Sequence, residues 1–195
     1  MRHDEQIELG SEFALRQGQR LFNGSSGNHF ARGHQVWAFA SGDHDPHLFE
    51  LSDHICTALQ LTNFWQDTAI DFSRDRVYLP QEDMARFGYT LDDLRAGCAD
   101  RRWQELLAFE IARTRELFER GRCLPEQVQP RLRTQLRLTW LSGSEILSKI
   151  EGVSYDIFRQ RPSLGKWDFL RLYWRARRAP LAARVAPTPT VATPS

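Results

Sequence analysis

Asp67 and Asp71 stand four residues apart near the end of a run of twenty-five residues, Leu48 to Phe72, that contains neither proline nor glycine. Four residues is about one helical turn, so in a helix both carboxylates point the same way and can share a hard divalent cation. Gln60 and Asn63 continue that line toward the N-terminus. At about 100° per residue the four side chains fall within roughly 80° of one another. A solvated face normally carries Lys, Arg and Glu, whereas this one carries amides and bare carboxylates. Oxygen donors of this kind suit Mg²⁺, which keeps several waters and completes its shell with phosphate oxygens. Arg74 and Arg76 follow directly, and a guanidinium fork grips phosphate oxygens bidentately. Pairing with Asp71 or Asp75 is an equal alternative for these two arginines, and the residue types leave both open.

The element that positions these groups is a helix, because Leu48, Leu51, Ile55, Leu59, Thr62, Trp65 and Ala69 recur at steps of three and four. A turn over Ser73–Arg76 follows, in which Asp75 tolerates left-handed backbone better than most residues, and Pro80 stops any helix. Gln81 to Phe87 reads as a short helix closed by Gly88, and Thr90 with Asp93 forms a capping box that opens the next. Between Asp100 and Gly121 the spacing of Trp103, Leu106, Leu107, Ile111, Thr114, Leu117 and Phe118 predicts a core-facing stripe with Glu and Arg opposite. Pro130 sits at a first turn, and Leu132, Leu136, Trp140, Gly143, Leu147 and Ile150 carry a further helix in which Gly143 marks close packing. Lys166 to Arg178 combines Trp167, Leu170, Tyr173 and Trp174 with a basic complement. That pattern suits first a last helix packed on the domain and second an interfacial helix on anionic lipid, and the two are compatible. Every element is helical, so the fold class is all-α.

These residues carry a resemblance. Gln60-Leu61-Thr62-Asn63, then Asp67-x-x-x-Asp71 and Arg76-Val77-Tyr78-Leu79-Pro80, resembles the second aspartate-rich motif of the squalene and phytoene synthase family. The wording Asn63-Phe64-Trp65-Gln66-Asp67 is similar to the hopanoid-pathway branch, the bacterial squalene or hydroxysqualene synthases. Gln66 stands where many carotenoid-forming relatives have Arg. The match runs on through Arg113–Phe118, Leu138–Leu141, Ile146–Glu151, Tyr155–Phe158 and Arg161-Pro162, covering about residues 48 to 178. The resemblance implies an isoprenoid-synthase-type helical bundle in which Asp67 and Asp71 are catalytic Mg²⁺ ligands. Gln60, Asn63, Arg74, Arg76 and an arginine near the end of the match would contact a prenyl diphosphate, Arg161 being preferred to Arg159. The implied substrates are farnesyl or presqualene diphosphate and the products squalene or hydroxysqualene.

The resemblance also implies a first aspartate-rich helix, yet no D-x-x-x-D precedes residue 48, and Asp4, Glu5, Glu8 and Glu12 do not resemble one. The expectation is an incomplete bundle, the C-terminal two-thirds of such an enzyme behind a start or reading frame that is not the ancestral one. Residues 1–47 form an atypical segment with a Gly/Ser cluster over 23–28, a helix over Glu5–Arg20 and all of the histidines except His54. His44 and His47 belong to a polar loop leading into the organising helix. Residues 48–178 form the synthase portion, and the Pro, Ala and Thr of 179–195 predict a disordered tail. The alternative function is a non-catalytic helical remnant acting through protein or lipid contacts.

Composition narrows the class further. A net charge of +1 over 195 residues gives no electrostatic basis for nucleic-acid binding. Cys56, Cys98 and Cys123, widely spaced and odd in number, predict neither a disulfide framework nor structural zinc. No apolar run approaches the roughly 18 residues of a membrane span, and residues 1–20 lack a secretory core. The expected setting is cytoplasmic, with peripheral contact at the inner membrane face through 166–178; oligomeric state is open.

Overall fold

The computed structural model describes residues 45–178 and 180–181. The expectations for the helix over Glu5–Arg20, the Gly/Ser cluster, His44 and the tail other than Pro180 and Leu181 lie outside the described residues. Seven helices follow in chain order: α1 (Pro46–Phe72), α2 (Gln81–Arg86), α3 (Leu91–Arg95), α4 (Arg101–Arg120), α5 (Leu124–Gln127), α6 (Pro130–Gly152) and α7 (Lys166–Arg178). The all-α class stands.

The longest helix, α1, begins two residues before Leu48. Asp45 caps it by accepting a hydrogen bond from the His47 amide at 2.9 Å, and Pro46 takes the first helical position. His47 therefore belongs to the first turn and not to a loop. The short helix α5 was also unforeseen; Pro125 lies in its first turn, where a missing N–H costs nothing. At the far end of α1 the chain turns through Asp75, which adopts φ 57°, a left-handed conformation that Asp tolerates better than most residues. Thr90 and Asp93 form the predicted capping box at α3, and Asp100 caps α4.

α1 packs chiefly against α4 and α6, and α7 packs on α6. The predicted stripes are the ones buried: Leu51, Ile55 and Trp65 from α1 meet Trp103, Leu106, Leu107, Ile111, Leu117 and Phe118 from α4 and Leu136, Trp140, Leu147 and Ile150 from α6. Three indoles donate across the helices and so fix their register. Trp65 Nε1 reaches Thr114 Oγ1 at 2.8 Å, Trp140 Nε1 the Phe118 carbonyl at 2.7 Å, and Trp103 Nε1 the Tyr155 carbonyl at 2.8 Å. Each buries a large ring while leaving no polar atom unpaired.

Two glycines allow the closest approaches. A Cβ at Gly121 would lie 2.5 Å from Ile55 Cγ1 and 2.7 Å from the Leu51 carbonyl oxygen; one at Gly143 would meet the Phe118 ring and Leu59. The obstruction at Gly121 includes α1 backbone, which no rotamer change can clear, whereas at Gly143 it is side chain. Gly121→Ala is expected to destabilise by about 1–3 kcal/mol. Gly143→Ala is expected to cost less, because its overpacking is offset by about 1 kcal/mol of helix propensity; urea unfolding of the two variants compares them directly.

Glu110 corrects the reading that the acids of α4 lie opposite its core stripe. It follows Trp103 by seven residues and so shares its face, and it is buried. Arg113 bonds Asp83 of α2 at 2.9 Å and lies 3.5 Å from Glu110, which ties α2 to α4. Burial pushes the Glu110 carboxyl up to about 8, against the pull of Arg113 and with a further push from Asp83. The folded state thus holds a proton that the unfolded state, near 4.5, releases. The contribution of Glu110 to stability is full below that value and falls as pH rises toward 8, at a slope approaching about 1.4 kcal/mol per pH unit. Glu110→Gln is expected to flatten this dependence in chemical unfolding followed from pH 5 to pH 8.5.

Candidate functional site

The site lies at the C-terminal end of α1. Asp67 and Asp71 occupy successive turns of that helix, both partly buried. This is the negative end of the helix dipole, and the last turn of α1 holds no basic residue to offset it. The Asp71 carboxyl is held above the ordinary carboxylate range, first by burial and then by the charge of Asp67. Arg76 and Arg74 pull it the other way. Both arginines are brought there by the backbone, since the amides of Arg74 and Arg76 donate to the Asp71 carbonyl oxygen at 2.9 and 3.0 Å. Neither forms an ion pair with Asp71 or Asp75 among the described residues; their guanidinium groups are exposed and near the acids.

A third arginine arrives from the other end of the described chain. Arg161, on the loop between α6 and α7, donates through Nε to Asp67 Oδ1 at 2.5 Å. Arg159, the alternative candidate, lies against Asp156 instead, at 3.3 Å. Gln66, adjacent to Asp67 but on the buried side of α1, holds this loop by donating from Nε2 to the Pro162 carbonyl at 2.5 Å. Sequence reasoning saw Gln66 only as a substituted Arg. Its tethering role had a signal in the residue type, because a buried amide requires a partner, but the partner is 96 residues away. Of the other candidates, Asn63 is exposed and Gln60 partly so, one and two turns before Asp67 on α1.

The aromatic residues near the acids divide into two groups. Phe64 stacks on Tyr78 with centroids 4.0 Å apart, roofing the turn that carries the arginines, and Phe72 and Val77 pack partly buried against the core. Trp65 and Trp140 are core residues with their indole N–H groups bonded. Among the described residues no three His, Cys, Asp or Glu side chains gather to hold a metal. The acid pair nonetheless fits Mg²⁺: two hard carboxylates one turn apart that repel each other, with open sides left to water and phosphate oxygens.

The family model described as squalene/phytoene synthase matches residues 34–168, more than half of the chain. The chain belongs to the squalene/phytoene synthase family. It is 37% identical over 110 residues to a 15-cis-phytoene synthase of Synechococcus elongatus, covering 56% of this chain and 36% of that one. With a 15-cis-phytoene synthase of Synechocystis it shares 40% identity over 124 residues, covering 60% of this chain and again 36% of the relative. Among solved structures, a squalene synthase of Alicyclobacillus acidocaldarius superposes with TM-score 0.60 at 39% identity, covering 63% of this chain and 46% of that one. A dehydrosqualene synthase superposes with TM-score 0.62 at 22% identity over 66% of this chain and 46% of that one, a likeness of fold. The chain spans about a third of the length of these two curated relatives.

The geometry makes Gln66 a tether whose loss can be read locally. Gln66→Ala would leave the Pro162 carbonyl without its donor and is expected to cost about 1–3 kcal/mol. Amide hydrogen exchange over residues 159–165 is expected to accelerate, while the α4 core stays protected.

Proposed function

We propose that this chain carries the second acidic half of a Mg²⁺-dependent prenyl-diphosphate synthase site of the hopanoid branch, working on farnesyl or presqualene diphosphate and forming squalene or hydroxysqualene. One observation carries the reading: two carboxylates at a helix C-terminus, ringed by Arg74, Arg76 and Arg161, all borne on backbone that the fold holds in place. Acids paired at that end destabilise the free helix, and a cation is what offsets them. Gln66 in place of Arg favours the squalene-forming branch, and a squalene synthase of Alicyclobacillus acidocaldarius stands at 39% identity, level with the phytoene synthases at 37% and 40%.

Asp67 and Asp71 would hold the metal, with Asn63 and Gln60 on the same line of the helix to bond its waters or the substrate. When bound, Mg²⁺ supplies charge neutralisation for a departing diphosphate. Arg74 and Arg76 would take phosphate oxygens through guanidinium forks. Arg161, now paired with Asp67, has a second anion to turn to once diphosphate is present, and Gln66 keeps its loop within reach. The stacked Phe64 and Tyr78, with Phe72 and Val77, would screen the reacting carbon from water and offer ring faces to a developing carbocation.

The test is Mg²⁺-dependent conversion, and Mg²⁺-dependent binding, of farnesyl and presqualene diphosphate by the full chain. Asp67→Asn is expected to lower turnover on the order of 10²-fold or more while the helical circular dichroism is unchanged. A variant that retains full activity would refute the assignment of Asp67. If the wild-type chain neither binds nor converts either diphosphate with Mg²⁺ present, and a hydrophobic dye binds it strongly, the non-catalytic helical reading replaces this one.

A further inference from the structure

α7 meets the rest of the molecule along one side only. Leu172 and Ala176 are buried, Asp168 takes Lys149 of α6 at 2.9 Å, Arg171 reaches Glu145 at 2.5 Å, and Arg137 donates to the Ala176 carbonyl at 3.3 Å. The opposite side carries Trp167, Leu170 and Trp174, which are 83%, 46% and 49% exposed. At about 100° per residue these three lie within roughly 60° of one another. On the same projection Lys166 and Arg177 flank the stripe on one edge, and Arg178, Arg171 and Arg175 on the other.

This grouping is not scattered surface hydrophobicity. Among the described residues six large hydrophobic side chains are exposed, and four of them, these three and Phe169, sit on α7, whereas isolated exposed residues need no explanation. The cations are not spent on acids either. Apart from Arg171, none of the five forms an ion pair among the described residues, and Arg177 and Arg178 lie over the Tyr173 and Trp174 rings at 5.8 and 5.4 Å. A helix facing water would mix both charge signs on this side; a helix awaiting a protein partner would have few cations beside its apolar centre. Exposed indoles bordered on both edges by arginine and lysine match the headgroup layer of a bilayer, where amphipathic rings sit at the interface and cations meet lipid phosphates.

We propose that α7 is a membrane-docking helix that lies in the plane of an anionic bilayer, seating Trp167, Leu170 and Trp174 among the headgroups with Lys166, Arg175, Arg177 and Arg178 against lipid phosphates. No described helix is long and apolar enough to cross a membrane, and this attachment needs none. The acid pair stays close to the surface, because the five-residue step from Arg161 to Lys166 spans at most about 18 Å.

The experiment is co-sedimentation of the full chain with vesicles of phosphatidylcholine alone or of phosphatidylcholine mixed with phosphatidylglycerol. Partitioning is expected to be at least about tenfold stronger on the anionic vesicles and to weaken with added NaCl. Brominated lipid is expected to quench tryptophan fluorescence only in the bound state. Trp167→Glu, at the most exposed position, and the double variant Lys166→Glu/Arg175→Glu should each lower partitioning about tenfold with unchanged thermal unfolding. Absence of binding to both vesicles, or equal binding by wild type and both variants, would overturn the proposal. So would a Trp167→Glu chain that turns from dimer to monomer in light scattering with its vesicle binding intact, since the face would then belong to a second copy.

Discussion

Two carboxylates at the negative end of a long helix set the terms for everything around them. Each costs a few tenths to about 1 kcal/mol where it stands, and burial followed by the charge of Asp67 raises the proton affinity of Asp71. The surrounding structure answers with arginines from two directions. A turn closed through the left-handed Asp75 carries Arg74 and Arg76 back over the Asp71 carbonyl, and a distant loop delivers Arg161 to Asp67. Local instability of this kind persists where chemistry uses it.

The rest of the described fold keeps that helix end rigid. α4 is the partner through which α1, α6 and the segment after α6 are registered, each by a buried indole bonded to one acceptor. The Trp65 bond to Thr114 lies two residues from Asp67, so the rotation of α1 about its own axis, and with it the direction of the acids, is fixed close to the site. Gly121 and Gly143 let the same helices approach until backbone touches side chain.

What could be read from the sequence was what repeats at short range. The helical stripes, the capping box at Thr90 and Asp93, the Asp75 turn and the pairing of Asp67 with Asp71 depend on spacings of one to eight residues, and the structure has them. Glu110 was legible by the same arithmetic, seven residues after Trp103, but its acidic type pointed to solvent, and its burial beside the Arg113–Asp83 pair overruled that. The start of α1 was missed because Pro46 looked like loop, although Asp followed by Pro is a cap followed by a first helical residue. Gln66 and Pro162 were out of reach: no periodicity links residues from opposite ends of the described chain. Family resemblance, not spacing, singled out Arg161, and only the fold shows that it reaches Asp67.

That separation in sequence has an entropic side. The bonds that complete the site join residues 94 and 96 positions apart, while those of the three indoles span 22 to 52. Closing the longest loops carries the largest entropic cost and rests on contacts that must already be in place. The two bonds at the acidic helix end thus close the longest loops of the set, at an extra entropic cost of about 0.6 kcal/mol per doubling of loop length. An opening confined to this loop would part Arg161 from Asp67 while the helix that carries the acids, held by its own contacts to α4 and α6, persisted.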